Sequence, residues 1–317
     1  MTTSAGSTDL TTTVGSVVLP NPVLTASGTS GHGAELAPYV DLASLGAVVV
    51  KSLSAQAWEG NPPLRVHETT AGMLNSVGLQ GPGVAAWLAD ELPALERIGA
   101  RVVVSIWGRT VAEYEAAATL LAGAPDTVVA VEVNLSCPNT EAARDLFAHS
   151  TSATHDAIAA TAAARRPRWA KLSPNVTDLV PIAEAARAGG AEAVTLVNTV
   201  LGMAIDPDTG AYRLGSGPRG GGLSGPAIHP VAVRAVHDVH AALPDLPIVG
   251  VGGVASGADA AELILAGAAA VQVGTATFAD PRAPARVLRE LEAWAHRTAR
   301  GSIRANVGAA HGRESSS

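Results

Sequence analysis

The sequence predicts an α/β fold that consists of a single (β/α)8 TIM barrel with long βα loops at its C-terminal face. Short β-branched segments alternate with Ala- and Leu-rich segments along the chain, the pattern of a parallel sheet covered by helices. The 317 residues, 47% of them hydrophobic, suffice for one large barrel. A doubly wound open sheet is the alternative. We expect the barrel over residues 14–300, between disordered tails at 1–13 and 301–317.

The predicted strands are near-continuous apolar runs, as expected for parallel strands that are covered on both faces. Their number is that of a closed barrel. In chain order they are the segments 23–27, 47–52, 102–107, 130–136, 169–173, 193–198, 247–253 and 270–276.

Helical segments lie between these strands, and several are preceded by residues that favour a helix N-terminus. Thr110 and either Ser256 or Gly257 are predicted N-caps. Asp280 is a third, with Pro281 at the first helical position. The clearest helices are the segments 111–122, 178–188, 230–243, 258–266 and 281–295.

Two connections are unusually long, residues 54–83 and 202–226, and both are rich in Gly and Pro. Long loops in compact domains are usually functional or disordered. Because each one follows a strand, both are expected on the C-terminal face of the barrel, where active sites occur.

Composition excludes several classes of protein. A net charge of −7 without a basic stripe argues against a nucleic-acid partner. A single cysteine, Cys137, rules out internal disulfides and Cys-rich zinc or iron–sulfur sites, and no metal site is predicted. Residues 1–13 do not have the pattern of an export signal, and no run of about 18 apolar residues predicts a membrane span. We therefore expect a cytoplasmic protein.

Polar residues collect where the predicted strands end. A lone Lys after an apolar run is usually a solvated strand end, but here two Lys, two Asn and the only Cys share one rim. This concentration points to an active site. The residues are Ser27, Lys51, Ser105, Asn134, Cys137, Lys171, Asn198, Thr199, Gly252, Gly253, Gly274 and Thr275.

The last two strands end in the glycine-rich turns of VGVGGVASGADA and VQVGTATFADP. Such turns, leading into helix N-termini, offer backbone N–H groups to a phosphate. Barrels often bind phosphate in the loops that follow strands seven and eight. The alternative is that these glycines only permit tight turns.

Cys137 is the candidate reactive side chain. A lone Cys is most often a small buried hydrophobe, but Cys137 lies in the polar turn of VEVNLSCPNT. Near lysines, its thiolate could act as a nucleophile or as a base. The segment 72–83 reads as a binding loop that presents Asn75, or alternatively as a surface loop.

These motifs resemble those of the dihydroorotate dehydrogenases. NLSCPN is similar to the strand-four motif of that family, with Cys as in its soluble class, and the segment 51–83 is similar to its strand-two Lys and substrate loop. VNTVLGMAIDPDTG, GVGGVASGADA and VQVGTATF complete the set in the family's order. GGLSGPAI leans towards the class 1B catalytic subunits rather than the fumarate-using class 1A.

The resemblance implies FMN as cofactor and dihydroorotate as substrate. Class 1B also implies NAD and a separate electron-transfer subunit that carries FAD and a [2Fe–2S] cluster, in a homodimer or heterotetramer. By motif, FMN contacts would be Ser27, Lys51, Ser52, Asn134, Lys171, Val197, Gly225, Gly252, Gly253, Gly274 and Thr275. Substrate contacts would be Lys51, Asn75, Ser76, Val77, Gly78, Leu79, Asn134, Asn198 and Thr199.

One position departs from the family, which often has Asn at the end of strand three where this chain has Ser105. Ser reaches less far, so Ser105 is a doubtful flavin contact.

The implied reaction removes a proton from C5 of dihydroorotate through Cys137, as general base, and a hydride from C6 through FMN. Lys171 would stabilise the negative charge that develops on the flavin. The alternatives are a class 1A or dihydropyrimidine dehydrogenase-like FMN barrel, a non-catalytic phosphate-binding barrel, and an aldolase-type barrel that uses Lys171 as a Schiff base.

Overall fold

The structure is a computed structural model, and it describes residues 9–136, 147–298 and 302–312. Cys137 lies outside the described residues. The strands are β1 (Thr12–Val14), β2 (Val17–Leu19), β3 (Val23–Thr25), β4 (Val48–Val49), β5 (Val66–Thr69), β6 (Gly72–Asn75), β7 (Val102–Ile106), β8 (Val128–Asn134), β9 (Arg168–Lys171), β10 (Ala193–Leu196), β11 (Val200–Gly202), β12 (Gly221–Ser224), β13 (Ile248–Val251) and β14 (Ala270–Val273).

Eight of these strands form one parallel sheet in the order β3-β14-β13-β10-β9-β8-β7-β4. Its end strands meet at a parallel bridge between Leu24 and Ala47, and the Gly46 N–H donates to the Val23 carbonyl at 2.8 Å. The sheet therefore closes, which confirms the predicted barrel over an open doubly wound sheet. Each predicted strand segment overlaps one of these eight strands.

Alternate residues of each strand point into the barrel and outwards to the helices. On β3, Leu24 packs inside and Val23 outside, and the interior cluster also includes Val49 and Trp169. On β8, Ala130 lies in that interior cluster, and the alternation places Glu132 and Asn134 on the same side. The interior of the barrel therefore changes from apolar at its base to polar near its C-terminal face.

The predicted helices are all present, and Thr110 and Ser256 cap α3 and α7 through side-chain bonds to the Glu113 and Asp259 N–H groups. The helices are α1 (Val84–Asp90), α2 (Leu92–Ile98), α3 (Val111–Leu120), α4 (Thr151–Ala160), α5 (Val180–Ala188), α6 (His229–Ala242), α7 (Gly257–Ala266), α8 (Ala276–Ala279) and α9 (Ala283–Thr298).

The structure corrects the expected start of the last helix. Asp280 ends α8, since its N–H donates to the Ala276 carbonyl at 3.0 Å. A turn then follows, in which the Ala283 N–H donates to the Asp280 carbonyl at 2.9 Å. The Asp280 side chain nevertheless caps this turn as predicted, since its Oδ1 accepts a hydrogen bond of 3.0 Å from the Arg282 N–H. Pro281 lies in the turn, and α9 itself begins at Ala283. Helices α1, α2, α4 and α8 were not predicted, and α4 is rich in Ser, Thr and His, which are weak helix formers.

The two long connections pair with each other in a four-stranded antiparallel sheet of order β11-β12-β6-β5. Strand β6, from the first connection, pairs with β12, from the second, with Leu74 opposite Leu223. Both connections therefore lie on the C-terminal face as predicted, and each one holds the other in place.

The described parts of the two segments predicted as tails are packed rather than loose. Strands β1 and β2 form a hairpin that places Val14 and Leu19 in the interior cluster. Asp9 forms a bridge with Ser302, and Ile303 is buried. For the described residues 9–13 and 302–312 this differs from the expectation of disordered tails, because Thr12 and Ile303 are buried. The domain boundaries stay predictions. Within the described ranges, no helix is long and apolar enough to cross a membrane.

Candidate active site

A cavity opens at the C-terminal face, and the structure brings nearly all of the predicted site residues together around it. Cys137 lies outside the described residues, but Ser136, the residue before it, lines the cavity. The predicted residues that line the cavity are Ser27, Lys51, Ser52, Asn75, Ser76, Val77, Gly78, Leu79, Asn134, Lys171, Val197, Asn198, Thr199, Gly225, Gly252, Gly253, Gly274 and Thr275.

Ser105 is the predicted residue that does not line the cavity. It is fully buried on β7, and its Oγ lies 2.8 Å from Ser52 Oγ. Ser105 therefore supports Ser52 from behind.

Prediction from sequence missed several lining residues. Ser224 accepts a hydrogen bond from the Thr275 hydroxyl at 2.8 Å, and its signal was present in the GGLSGPAI motif. Gly28 has a φ of 87°, which only glycine adopts readily. Phe278 lies in the VQVGTATF motif but was not singled out, because only the folded chain brings α8 to the cavity. The missed residues are Ala26, Gly28, Thr29, Val66, Met73, Ser136, Ser224, Ile228, Val251 and Phe278.

A chain of hydrogen bonds orients the two Asn side chains. Asn198 Nδ2 donates to Asn134 Oδ1 at 3.1 Å, and Asn134 Nδ2 donates to Ser52 Oγ at 3.3 Å. The Thr199 N–H donates to Asn198 Oδ1 at 2.8 Å. The residues come from the ends of three strands, so the closed barrel fixes their relative positions. The amides offer donors and acceptors suited to a small polar ring.

Lys171 provides a fixed positive charge at the floor of the cavity. Its Nζ donates to Ser27 Oγ at 3.1 Å and lies 3.7 Å from Glu132 Oε1. Glu132 is fully buried, and its Oε2 accepts a hydrogen bond of 2.7 Å from Gln272 Nε2. A buried ammonium held by a carboxylate is suited to stabilising negative charge on a ligand.

Lys51 provides a second positive charge, at the rim. Burial lowers the pKa of Lys51, and the positive charge of Arg65 lowers it further. Burial also lowers the pKa of the neighbouring His32, and the charge of Lys51 adds to that shift while Glu35 opposes it. The rim is therefore electropositive and partly desolvated, which favours an anionic ligand.

Glycine backbone forms the opposite wall. Gly225, Gly252 and Gly253 have φ values of 95°, 138° and 69°. A Cβ on Gly252 would lie 2.7 Å from the Ala232 Cβ, so a side chain is excluded there on both conformational and steric grounds. Because glycine exposes only its backbone, this wall offers N–H and C=O groups, and N–H groups are common partners of phosphate.

The loop of residues 75–79 closes the remaining side. Its shape depends on Gly78 and Leu79, which have φ values of 73° and 62°. Asn61 Nδ2 holds the Ser76 carbonyl at 2.9 Å. The buried Ser76 Oγ has no hydrogen-bond partner within the described chain. A buried hydroxyl normally has a partner, so this one is suited to a bound polar molecule. Among residues 9–136, 147–298 and 302–312, which the structure describes, no group of three or more His, Cys, Asp or Glu residues could hold a metal ion.

Comparisons with known proteins agree with this geometry. The family model described as dihydroorotate dehydrogenase matches residues 9–294. The dihydroorotate dehydrogenase B (NAD(+)), catalytic subunit, of Desulforudis audaxviator is 48% identical over 94% of this chain and 96% of its own. The protein of the same name from Alkaliphilus oremlandii is 48% identical over 88% of this chain and 91% of its own. A Solibacter usitatus protein, 47% identical over 89% of this chain and 92% of its own, carries the provisional name dihydroorotate dehydrogenase A (fumarate).

The family match spans all eight strands of the barrel, both long connections and every predicted site residue. Cavity, fold and similarity therefore agree, and the chain belongs to the dihydroorotate dehydrogenase family.

Proposed function

We propose that this chain is an oxidoreductase that converts dihydroorotate to orotate in de novo pyrimidine synthesis, with FMN as its cofactor. The observation that carries the proposal is a single cavity in which a buried cation, a bonded Asn pair and a glycine wall face each other. These are the groups needed for a flavin, a planar amide ring and a phosphate.

The residues that line the cavity fit FMN. Gly252, Gly253 and Gly274 line the cavity with backbone alone, which suits the binding of a phosphate. Lys171 is held beneath the cavity by Glu132 and Ser27, where it would meet the flavin ring. When bound, FMN supplies the acceptor for the hydride from C6 of the substrate. Ser52, Asn134, Val197, Gly225 and Thr275 would complete its contacts.

The substrate would lie between the Asn pair and the loop of residues 75–79. Lys51 would bind its carboxylate, and the amides of Asn75, Asn134 and Asn198 would bind its ring. Ser76, Val77, Gly78, Leu79 and Thr199 would enclose it. Fixing the ring in this way holds C6 at a reacting distance and excludes water.

Cys137 is proposed as the general base that removes the proton from C5. The support is its position in the NLSCPN motif, directly after Ser136, which lines the cavity. Only the thiolate is reactive, and a cavity with two lysines favours that form.

The electron acceptor proposed for this chain is NAD, through a separate subunit that carries FAD and a [2Fe–2S] cluster. Two relatives named as catalytic subunits of an NAD-linked enzyme support this proposal. Because Cys137 is the only Cys of the chain, the chain itself cannot supply the Cys ligands of such a cluster. A homodimer or heterotetramer and a cytoplasmic location stay predictions. Direct use of fumarate is the second candidate, which the name of the Solibacter usitatus relative favours.

The test uses the purified chain under anaerobic conditions. We expect the visible absorbance of a bound flavin, and its bleaching when dihydroorotate is added. Dihydrouracil, which lacks the carboxylate, serves as the matched control and should not bleach it. A colourless protein that does not take up FMN would contradict the proposal, and fast reoxidation by fumarate would support the second candidate.

A further inference from the structure

His229 lies behind the glycine wall and has no role in the function proposed above. It is the first residue of α6, its side chain is only 12% exposed, and it does not line the cavity. Its Cβ is also the nearest atom to the Cβ that a side chain at Gly253 would add, at 2.6 Å. The imidazole therefore packs directly against the Gly252–Gly253 turn.

Both ring nitrogens of His229 face hydrogen-bond acceptors. Nδ1 lies 2.8 Å from the Gly252 carbonyl oxygen, and Nε2 lies 3.1 Å from Glu262 Oε2. A carbonyl and a carboxylate cannot donate, so Nδ1 must carry a proton for the first bond to exist.

The bond to the Gly252 carbonyl fixes the orientation of the next peptide N–H. In a planar trans peptide, the carbonyl of one residue and the N–H of the next point in opposite directions. A Gly252 carbonyl held by His229 therefore turns the Gly253 N–H away from the imidazole. The cavity lies on that side, since Gly253 lines it and His229 does not.

The hydrogen bond from His229 restricts a turn that is otherwise conformationally flexible. Gly252 and Gly253 have φ values of 138° and 69°, and glycine has many other backbone conformations of similar energy. Without an external bond, the peptide between them could rotate and present its carbonyl to the cavity. A carbonyl there would repel a phosphate.

We propose that His229 is a positioning residue for the phosphate of the cofactor, acting through the Gly252 carbonyl. This inference rests on the proposed function, because it takes FMN as the ligand. It assigns to His229 the discrimination between a phosphorylated flavin and a flavin without phosphate.

The experiment titrates the apoprotein with FMN and with riboflavin, which lacks the phosphate, and follows the quenching of flavin fluorescence. Two variants distinguish the contributions of the two ring nitrogens of His229. In His229→Asn the amide nitrogen takes the place of Nδ1 and can still donate to Gly252. In His229→Gln the amide nitrogen reaches the place of Nε2, which preserves the contact with Glu262 but loses the bond to Gly252.

We expect His229→Gln to weaken FMN binding by about tenfold, the effect of one strong hydrogen bond, with riboflavin affinity unchanged. His229→Asn should keep the FMN affinity of the unaltered protein. Thermal unfolding of each apoprotein verifies that the variants fold.

The inference is overturned if His229→Gln leaves FMN affinity unchanged, or if it weakens FMN and riboflavin equally, since the second result indicates a general packing role. An unaltered protein that binds neither flavin would instead refute the proposed function. The two failures are therefore distinguishable.

Discussion

At the scale of single residues, the ion pair beneath the cavity differs in burial from the ion pairs on the surface. Lys171 and Glu132 form a pair in which both side chains are almost inaccessible to water. The Glu184–Arg187 pair, at 3.3 Å, is by contrast largely exposed. Removing one partner of a buried pair leaves an uncompensated charge, whereas an exposed pair contributes little.

We therefore predict that Glu132→Gln lowers the free energy of unfolding of the apoprotein by about 3 kcal/mol. Glu184→Gln is the matched control and should change it by less than about 0.5 kcal/mol. Urea unfolding measures both values. Equal effects of the two substitutions would show that the ion pair under the cavity does not stabilise the fold.

Lys51 gives a prediction about pH. Burial, and secondarily Arg65, lower its pKa below 10.5, so its ammonium loses its proton at a lower pH than that of an exposed Lys. The affinity of the holoprotein for orotate should then fall as pH rises towards 10.5. Lys51→Gln should bind orotate weakly at every pH. An affinity for orotate that is independent of pH in the unaltered protein would contradict this role.

The lowered pKa of Lys51 also determines how this residue changes the stability of the fold with pH. Between the lowered pKa and 10.5, the unfolded chain binds more protons at Lys51 than the folded chain. Lys51 therefore makes stability rise with pH in that window, opposite to its effect on orotate binding.

Cys137 variants test the assignment of the base. Cys137→Ala should bind FMN and orotate but lose most turnover, because no group remains to remove the C5 proton. Cys137→Ser should keep a small activity that increases at high pH, since a hydroxyl is a much weaker acid than a thiol. Steady-state rates across pH measure this, and near-normal turnover of Cys137→Ala would exclude Cys137 as the base.

At the scale of elements, a histidine cluster attaches residues 302–312 to α6. The His311 ring stacks on His237 with centroids 4.1 Å apart and lies 5.0 Å from His240. Burial lowers the pKa of His240, and the charges of His311 and His237 lower it further. Asp238 contacts His237 at 3.4 Å and partly offsets its charge.

Because its folded pKa is lowered, His240 binds fewer protons in the folded protein than in the unfolded chain at pH values below 6.5. Stability should therefore fall as pH is lowered through that range. His311→Phe keeps an aromatic ring without the charge, so it should lose less stability between pH about 7.5 and about 5.5. Thermal unfolding at the two values measures this, and identical losses would refute the role of the cluster.

The elements differ in how well they could be predicted. The barrel strands were identified because each is a local apolar run that is covered on both faces. Strands β5, β6, β11 and β12 were not, since none of them is a continuous apolar run: each mixes apolar residues with Gly or polar residues, and β6 and β12 pair across about 150 residues of chain.

At the scale of the whole molecule, the cavity is formed by the ends of the barrel strands together with both long connections. A ligand in it touches parts of the chain that are joined only by folding. The apolar hairpin of β1 and β2 covers the opposite end of the barrel. The ligand cavity and the covered end of the barrel therefore lie at different ends of the molecule.

Bound FMN should therefore stabilise the entire fold, because the unfolded chain has no cavity. At a free FMN concentration of 100 times the dissociation constant, we expect a gain of about 2.7 kcal/mol. Unfolding of the apoprotein at increasing FMN concentrations measures this gain. A midpoint that does not move with FMN would mean that the flavin does not bind the native barrel.

The sequence by itself determined the fold class, the eight strands and the chemical types at their ends, because periodicity and turn residues are local properties of the chain. It also carried the family motifs. The tertiary structure decided which of those residues meet: Glu132 beneath Lys171, Ser105 behind Ser52, and His229 against the Gly252 carbonyl. Each of these pairs is separated by tens of residues, and only closure of the barrel brings the partners within hydrogen-bonding or ion-pair distance.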